Sequence, residues 1–326
     1  MSYVQLASNE SPFGPSPLAI EAMRAVLAGV NRYPDNDASE LQVKLAARHQ
    51  VTPEQVIVWA GLTDFLGVIA RTLMSEGLNA VTSDRSFIVY PIATQAAGGT
   101  LIQVPMRGDG FHLDAIASVI NSNTRIIFLA NPNNPTGALV TADEVDRFLQ
   151  NVPEHVLVVL DEAYFDFAQD FARLRNVNYS HSLDYVRQGR NVVVLRTFSK
   201  AHGLAGVRVG YGIGSAELLA RFAELRSTYS ISSVAQAGAL AAIIDEAHTR
   251  KVVENNTREA DRMVRSISEL GFAVANTWAN FIYINVGEDA VMLAKRLRAE
   301  NIIIRPLAKW GAPTAVRVTV GTPEEK

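Results

Sequence analysis

Between about residues 38 and 226 the chain alternates two kinds of segment. Short runs of consecutive apolar residues, rich in valine and isoleucine, fall at Val56–Trp59, Ala80–Thr82, Leu101–Val104, Arg125–Ala130, Val156–Leu160, Asn191–Leu195 and Val207–Ile213. Because these runs are continuous rather than alternating, they predict strands buried on both faces. Between them, apolar positions recur at helical spacing over Ala38–His49, Thr63–Met74, Tyr90–Ala97, Leu113–Ile120, Ala142–Val152 and Ser215–Arg226. Strand and helix in turn predict a large α/β lobe with a mostly parallel, doubly wound sheet. In such a sheet ligands bind beyond the carboxyl ends of the strands.

The two ends of the chain read differently. Asn9-Glu10-Ser11-Pro12-Phe13-Gly14-Pro15-Ser16-Pro17 holds too many prolines for helix or central strand. A helix follows over Leu18–Leu27, with Pro17 at its first turn. After Val234 a long helical stretch, broken near Asp245–His248, leads into Lys251–Leu270. Strands are then expected at Phe272–Ala275, Phe281–Val286, Ile302–Arg305 and Val316–Val320, with a helix at Asp289–Ala299. The expected division is a large domain over 30–245, with 1–29 and 246–326 forming an N-terminal arm and a smaller α+β lobe. The closing Gly321-Thr322-Pro323-Glu324-Glu325-Lys326 reads as a helix start, so a terminal helix is expected beyond it.

Composition narrows the chemistry. The 326 residues are 48% hydrophobic and 19% charged, enough for a large core. A net charge of −3 offers no basic surface for nucleic acid or an anionic membrane. No apolar run reaches spanning length and the start, Met1-Ser2-Tyr3-Val4-Gln5, lacks the charge and apolar core of an export signal. Cysteine is absent, which removes thiolate catalysis and cysteine-based metal sites and fits a cytoplasmic location. The six histidines show no metal-ligand spacing, so no metal is expected.

Four polar clusters stand where strands end. Val56–Trp59 runs into Gly61-Leu62-Thr63-Asp64, which opens a helix whose free N–H groups suit an anion. Arg125–Ala130 runs into Asn131-Pro132-Asn133-Asn134-Pro135-Thr136-Gly137. Val156–Leu160 runs into Asp161-Glu162-Ala163-Tyr164. Asn191–Leu195 runs into Thr197-Phe198-Ser199-Lys200, followed by Gly203, Gly206 and Arg208. Singly, each has a plain structural reading: a turn, a capped helix or a surface charge. Together they fit a phosphorylated pyridine aldehyde. Lys200 supplies the amine that attacks the aldehyde. Asp161 supplies the carboxylate for the ring nitrogen. Asn134 and Tyr164 supply donors for a phenolic oxygen, and Phe87 an aromatic face. Thr197, Ser199, Arg208 and the amides at Gly61, Leu62 and Thr63 supply phosphate contacts.

In these motifs the chain resembles the fold-type-I pyridoxal-phosphate aminotransferases of the histidinol-phosphate aminotransferase-like group. The likeness spans essentially the whole chain and includes Leu6–Glu10, Arg32-Tyr33-Pro34 and Arg317–Pro323. It implies a homodimer in which Tyr33 reaches the cofactor phosphate of the neighbouring subunit. It implies Lys200 as the lysine that binds the cofactor and moves the substrate's Cα proton. Arg317 would hold the anionic end of the substrate, Arg305 would hold a substrate phosphate, and Asn9 and Ser11 would lie on the substrate side. The substrates it implies are a small amino donor, histidinol phosphate or an aromatic amino acid, and a 2-oxo acid acceptor. A decarboxylase or lyase on the same cofactor, like a threonine-phosphate decarboxylase, is the alternative, and a non-catalytic ligand sensor a third. The chain departs from the group in carrying Leu62 where serine is common. It also has Ser11 where some members place a tyrosine, and Arg85 where an aromatic or proline is usual.

Overall fold

The computed structural model describes residues 3–325; Met1, Ser2 and Lys326, the outermost residues of the terminal stretches read above, lie outside the described residues. In chain order the strands are β1 (Val4–Gln5), β2 (Val56–Trp59), β3 (Asn79–Ser83), β4 (Thr100–Val104), β5 (Thr124–Ala130), β6 (Leu157–Asp161) and β7 (Val192–Thr197). They continue with β8 (Gly210–Ile213), β9 (Ala273–Val274), β10 (Phe281–Asn285), β11 (Ile302–Ile303), β12 (Arg305–Pro306) and β13 (Ala315–Thr319).

Seven of these form the central sheet in the order β2-β8-β7-β6-β5-β3-β4. Every neighbouring pair from β7 to β4 is parallel; β8 alone runs antiparallel, to both β7 and β2. The reason lies in the connections. Each parallel neighbour is reached through an intervening segment long enough to cross a face of the sheet. From β7 to β8 the chain instead folds back within the 198–209 loop. Residues 126–130, 157–161 and 192–197 are buried throughout, so both faces of these strands are covered, as the apolar runs predicted. Burying each such valine, leucine or isoleucine is worth about 1.5–3 kcal/mol.

Helices flank this sheet, among them Leu62–Leu73, Val89–Ala96, Ala142–Leu149 and Ala216–Ala223. Two further helices, Phe165–Arg175 and Ser182–Arg187, were not predicted. The first has its apolar residues on one side, with Phe167, Ala168, Phe171 and Ala172 buried, but several polar residues dilute the pattern. The first helix, Pro17–Val26, opens on Pro17 as expected and is capped by the Ser16 hydroxyl, which accepts from the Ala19 N–H. Its Ala19 lies in the main core and its Met23 packs against that core.

The later part of the chain builds a four-stranded sheet, β12-β13-β10-β9, antiparallel throughout. It has a separate apolar core around Ile282, Ile284, Val316 and Val318. The long helical stretch is interrupted at Asp245, whose carboxylate caps the helix Glu246–Glu269 by accepting from the His248 N–H. One predicted strand is two: Ile302–Ile303 pairs in parallel with β1, whereas Arg305–Pro306 pairs antiparallel with β13. The chain thereby ties its N-terminal arm to the small lobe and delivers Arg305 opposite Arg317. The stretch read as a helix start is a 3₁₀ turn over Pro323–Glu325. No helix among the described residues is long and apolar enough to cross a membrane.

Candidate active site

The carboxyl ends of β5, β6 and β7 lie side by side, since Ala130 is in register with Asp161 and Asp161 with Leu195. Backbone bonds extend the ladder past the strand ends: Asn131 N–H donates to the Asp161 carbonyl at 2.9 Å, and Glu162 N–H to the Leu195 carbonyl at 2.9 Å. Three of the polar clusters are therefore carried by adjacent strands. They open into a cavity of about 480 Å³ whose lining includes Asn134, Asp161, Tyr164, Thr197, Ser199, Lys200 and Arg208. Leu62, Thr63 and Phe87 also line it, as do Asn9, Arg305 and Arg317 from the arm and the small lobe.

Lys200 Nζ donates to the Ser8 carbonyl at 3.2 Å. Burial, and then the nearby Arg317 guanidinium, bring its ammonium down to about 8, well below an ordinary lysine. Asp161 is buried beneath the cavity. Its Oδ2 accepts from the Tyr90 hydroxyl at 2.9 Å and its Oδ1 from the Ala163 N–H at 3.2 Å. Burial outweighs these bonds and pushes the carboxyl up to about 6. Lys200 favours its ionised form only weakly against that burial, so a further cation above Asp161 would stabilise the carboxylate.

Two donors remain available over the floor. Tyr164 Oη accepts from Asn9 Nδ2 at 2.8 Å, which leaves its own hydrogen free to donate. Asn134 Oδ1 accepts from Arg317 Nη1, and its Nδ2 has no protein partner among the described residues. At the other end, Arg208 adopts a left-handed conformation (φ 58°) just after the 3₁₀ turn Ala205–Val207. This corrects the predicted strand start at Val207: the strand begins at Gly210, because the chain must first turn to place the guanidinium. Arg208 Nη1 donates to the Ala205 carbonyl at 2.8 Å and lies 3.5 Å from Ser199 Oγ. Its other edge lies on Gly61, where a Cβ would sit 2.3 Å from Nη2. Gly61 also has φ +88° and caps the helix Leu62–Leu73. Only glycine meets both demands. A guanidinium, two hydroxyls and a helix N-terminus so arranged have the donors and the charge to hold a phosphate.

On the opposite side, Arg305 and Arg317 face each other across β12 and β13. Arg305 Nε and Arg317 Nη2 both donate to the Ala7 carbonyl, at 3.3 and 2.8 Å. Arg317 is buried with its Nε unpartnered, and burial followed by Arg305 lowers its guanidinium to about 10. No carboxylate among the described residues pairs with either arginine. Two close guanidiniums without an acid form a site for an anion that the chain does not itself supply. Arg196 contrasts with them: its Nε and Nη2 both donate to Glu162 Oε2, at 3.0 and 2.8 Å, so its charge is met by a buried carboxylate next to Asp161 in the chain.

Some expected residues lie elsewhere. Tyr33 is 81% exposed and stacks on Tyr229 at 4.5 Å, outside the cavity of its own chain. Ser11 lines an adjoining cavity with Glu10 and Gly203, and its buried Oγ has no partner. Arg85 does not line the site: it donates to the Gly108 carbonyl at 2.8 Å and pairs with Asp109. Three contributors escaped the sequence reading. Tyr90 holds Asp161, while Glu10 and Trp310 line the cavity. Tyr90 lies 71 positions from Asp161, so no local pattern connects them.

A charge-poor floor carrying one acid, an amine of lowered basicity and donors suited to a phosphate are the working parts of an aminotransferase. The sequence profile of the class I and II aminotransferases matches residues 2–326, and the chain belongs to that family. It is 41% identical over 324 residues to histidinol-phosphate aminotransferase 2 of Pseudomonas fluorescens (strain Pf0-1), covering 99% of this chain and 86% of that one. It is 40% identical over 323 residues, with the same coverage, to histidinol-phosphate aminotransferase of Akkermansia muciniphila. The crystal structure of histidinol-phosphate aminotransferase from Sinorhizobium meliloti in complex with pyridoxal-5'-phosphate superposes with a TM-score of 0.90 at 28% identity. That match covers 98% of this chain and 87% of the other. The protein is accordingly a pyridoxal-phosphate-dependent transferase of amino groups.

Proposed function

We propose that the chain moves the amino group of histidinol phosphate to a 2-oxo acid. The observation that carries this reading is the Arg305–Arg317 pair: two guanidiniums on one carbonyl, with no carboxylate partner among the described residues, lining the same cavity as Arg208. A phosphate, with more acceptor oxygens and more charge than a carboxylate, can engage both guanidiniums. The names of the relatives at about 40% identity support the same donor.

The residues present fit pyridoxal phosphate. Arg208, Ser199, Thr197 and the amides above Gly61 would hold its phosphate, Asp161 its ring nitrogen, Asn134 and Tyr164 its phenolic oxygen, and Phe87 its ring face. When bound, the cofactor supplies the electron sink that makes the donor's Cα proton removable. Arg305 and Arg317 orient the donor by its anionic end. Lys200 Nζ, low enough in basicity to spend part of its time neutral, takes the Cα proton as base and later returns one as acid. Asp161 stays ionised beneath the ring.

Arg305→Ala is expected to raise the KM for histidinol phosphate about tenfold or more while changing that for phenylalanine less than threefold, measured as half-reactions with each donor. Equal effects on both donors would count against a phosphate contact at Arg305. A homodimer in the cytoplasm completes the reading. Its support is the apolar surface around Tyr33, where Leu27, Val30, Leu225 and Tyr229 are also exposed, together with Tyr33's place outside its own cavity. Sedimentation at micromolar concentration should give twice the chain mass, and Tyr33→Ala should weaken cofactor retention. A single-chain mass would overturn it.

A further inference from the structure

With Arg208, Asp161 and Lys200 given to the cofactor, and Arg305 and Arg317 to the donor's phosphate, one charged side chain of the cavity lining remains. Only two carboxylates line the cavity among the described residues, Asp161 and Glu10. Glu10 is exposed to the cavity mouth and has no hydrogen-bond or salt-bridge partner among the described residues.

Its placement is fixed from below. Asn9 is buried in a left-handed conformation at φ 57°. Its N–H donates to Thr319 Oγ1 at 2.9 Å, its Nδ2 to Tyr164 Oη at 2.8 Å, and its carbonyl accepts from Asn280 Nδ2 at 3.0 Å. One residue earlier, the Ser8 carbonyl accepts from Lys200 Nζ. Asparagine is one of the few non-glycine residues that take this conformation readily, and its three hydrogen bonds hold it there. Ser8 and Asn9 are thus pinned to the lysine, to the site floor and to the small lobe. Glu10, the next residue, lines the same cavity as Lys200, near enough for its carboxylate to favour the ammonium there.

We propose that Glu10 selects an imidazole-bearing donor by accepting a ring N–H. The inference rests on the histidinol-phosphate reading above. That donor has an anionic end for Arg305 and Arg317, an amine for the cofactor, and an imidazole with one N–H when neutral and two when protonated. An unpaired carboxylate suits this ring; it offers nothing to a phenyl ring and repels the side chain of glutamate.

The test compares wild-type and Glu10→Gln holoenzymes with histidinol phosphate and phenylalanine as donors between pH 6 and 8.5, with cofactor content checked by absorbance. Glutamine keeps the shape and removes the charge. The KM for histidinol phosphate should rise about tenfold with kcat within twofold, so the preference for histidinol phosphate over phenylalanine falls about tenfold. The variant's deficit should be largest near pH 6, where more of the donor is imidazolium, and shrink toward pH 8.5. Parallel losses on both donors, or a deficit that does not change with pH, would show that Glu10 acts through its loop and overturn the proposal alone. A wild-type enzyme that transaminates phenylalanine but not histidinol phosphate would overturn the donor assignment itself, and this inference with it.

Discussion

Lys200→Ala is expected to slow transamination by about 10,000-fold or more while leaving the fold intact. The side chain takes part in no buried ion pair, and its one protein hydrogen bond, to the Ser8 carbonyl, can be replaced by water. Little stability is lost with it. On the role proposed for Lys200, turnover would lose two things together: the nucleophile that holds the cofactor covalently and the base positioned at Cα. General acid–base catalysis alone contributes about 10²–10⁴-fold, and the covalent step adds to it. The holoenzyme should also lose the visible absorbance that depends on attachment to an amine. The same amine sets a pH dependence in the wild type. Burial and Arg317 bring Lys200 to about 8, so capture of the cofactor by the apoenzyme should rise with pH around a midpoint near 8. An unperturbed lysine would place it above 10. A Lys200→Ala protein with more than one-hundredth of wild-type activity would sink this assignment.

Strand-end chemistry was readable from the chain because a buried parallel strand leaves a plain mark, an unbroken apolar run, and the polar residues that follow have few other reasons to be there. The runs ending before Asn131, Asp161 and Thr197 place those clusters on adjacent strands in the structure. What could not be read was whatever depends on long-range packing. Tyr90 reads as one more apolar residue of a helix, and its hydroxyl gains meaning only because the ring stacks on Phe128 of β5 and reaches Asp161 at the end of β6. Ile302–Arg305 is a uniform apolar run ending in arginine, yet its two halves pair with different strands, since β1 and β13 compete for the same short stretch. Arg208 followed a valine and seemed to open a strand; the requirement to reach Gly61 forces a turn there instead. Trp310 lies in a 3₁₀ turn with no periodicity to mark it, and only tertiary packing brings it to the cavity.

Asp161→Asn should give a protein that is nearly inactive and, without cofactor, more stable than the wild type at neutral pH. The loss of activity follows from charge. A carboxylate beneath the ring keeps the ring nitrogen protonated, and a neutral amide cannot, so kcat should fall about 10²–10³-fold, the scale for removing one preorganised electrostatic contact. The gain in stability follows from the same burial that makes Asp161 useful. Its carboxyl sits at about 6 in the folded chain against an ordinary 3.8. Between those values the folded state holds the proton and the unfolded state releases it, so stability falls as pH rises through the window. The penalty is absent below about pH 4 and complete above about pH 6, where it reaches roughly 3 kcal/mol. Asparagine removes it. The Tyr90 hydroxyl can turn to accept from the new amide, and the hydrogen left unpaired takes back about 1 kcal/mol. Denaturant unfolding of the two apoproteins should therefore show the variant ahead by about 2 kcal/mol at pH 8 and level with, or behind, the wild type at pH 4. A variant less stable than the wild type at both pH values would mean that Asp161 is held mainly by its hydrogen bonds. Its charge would then not be a cost that the fold carries for the sake of the cofactor.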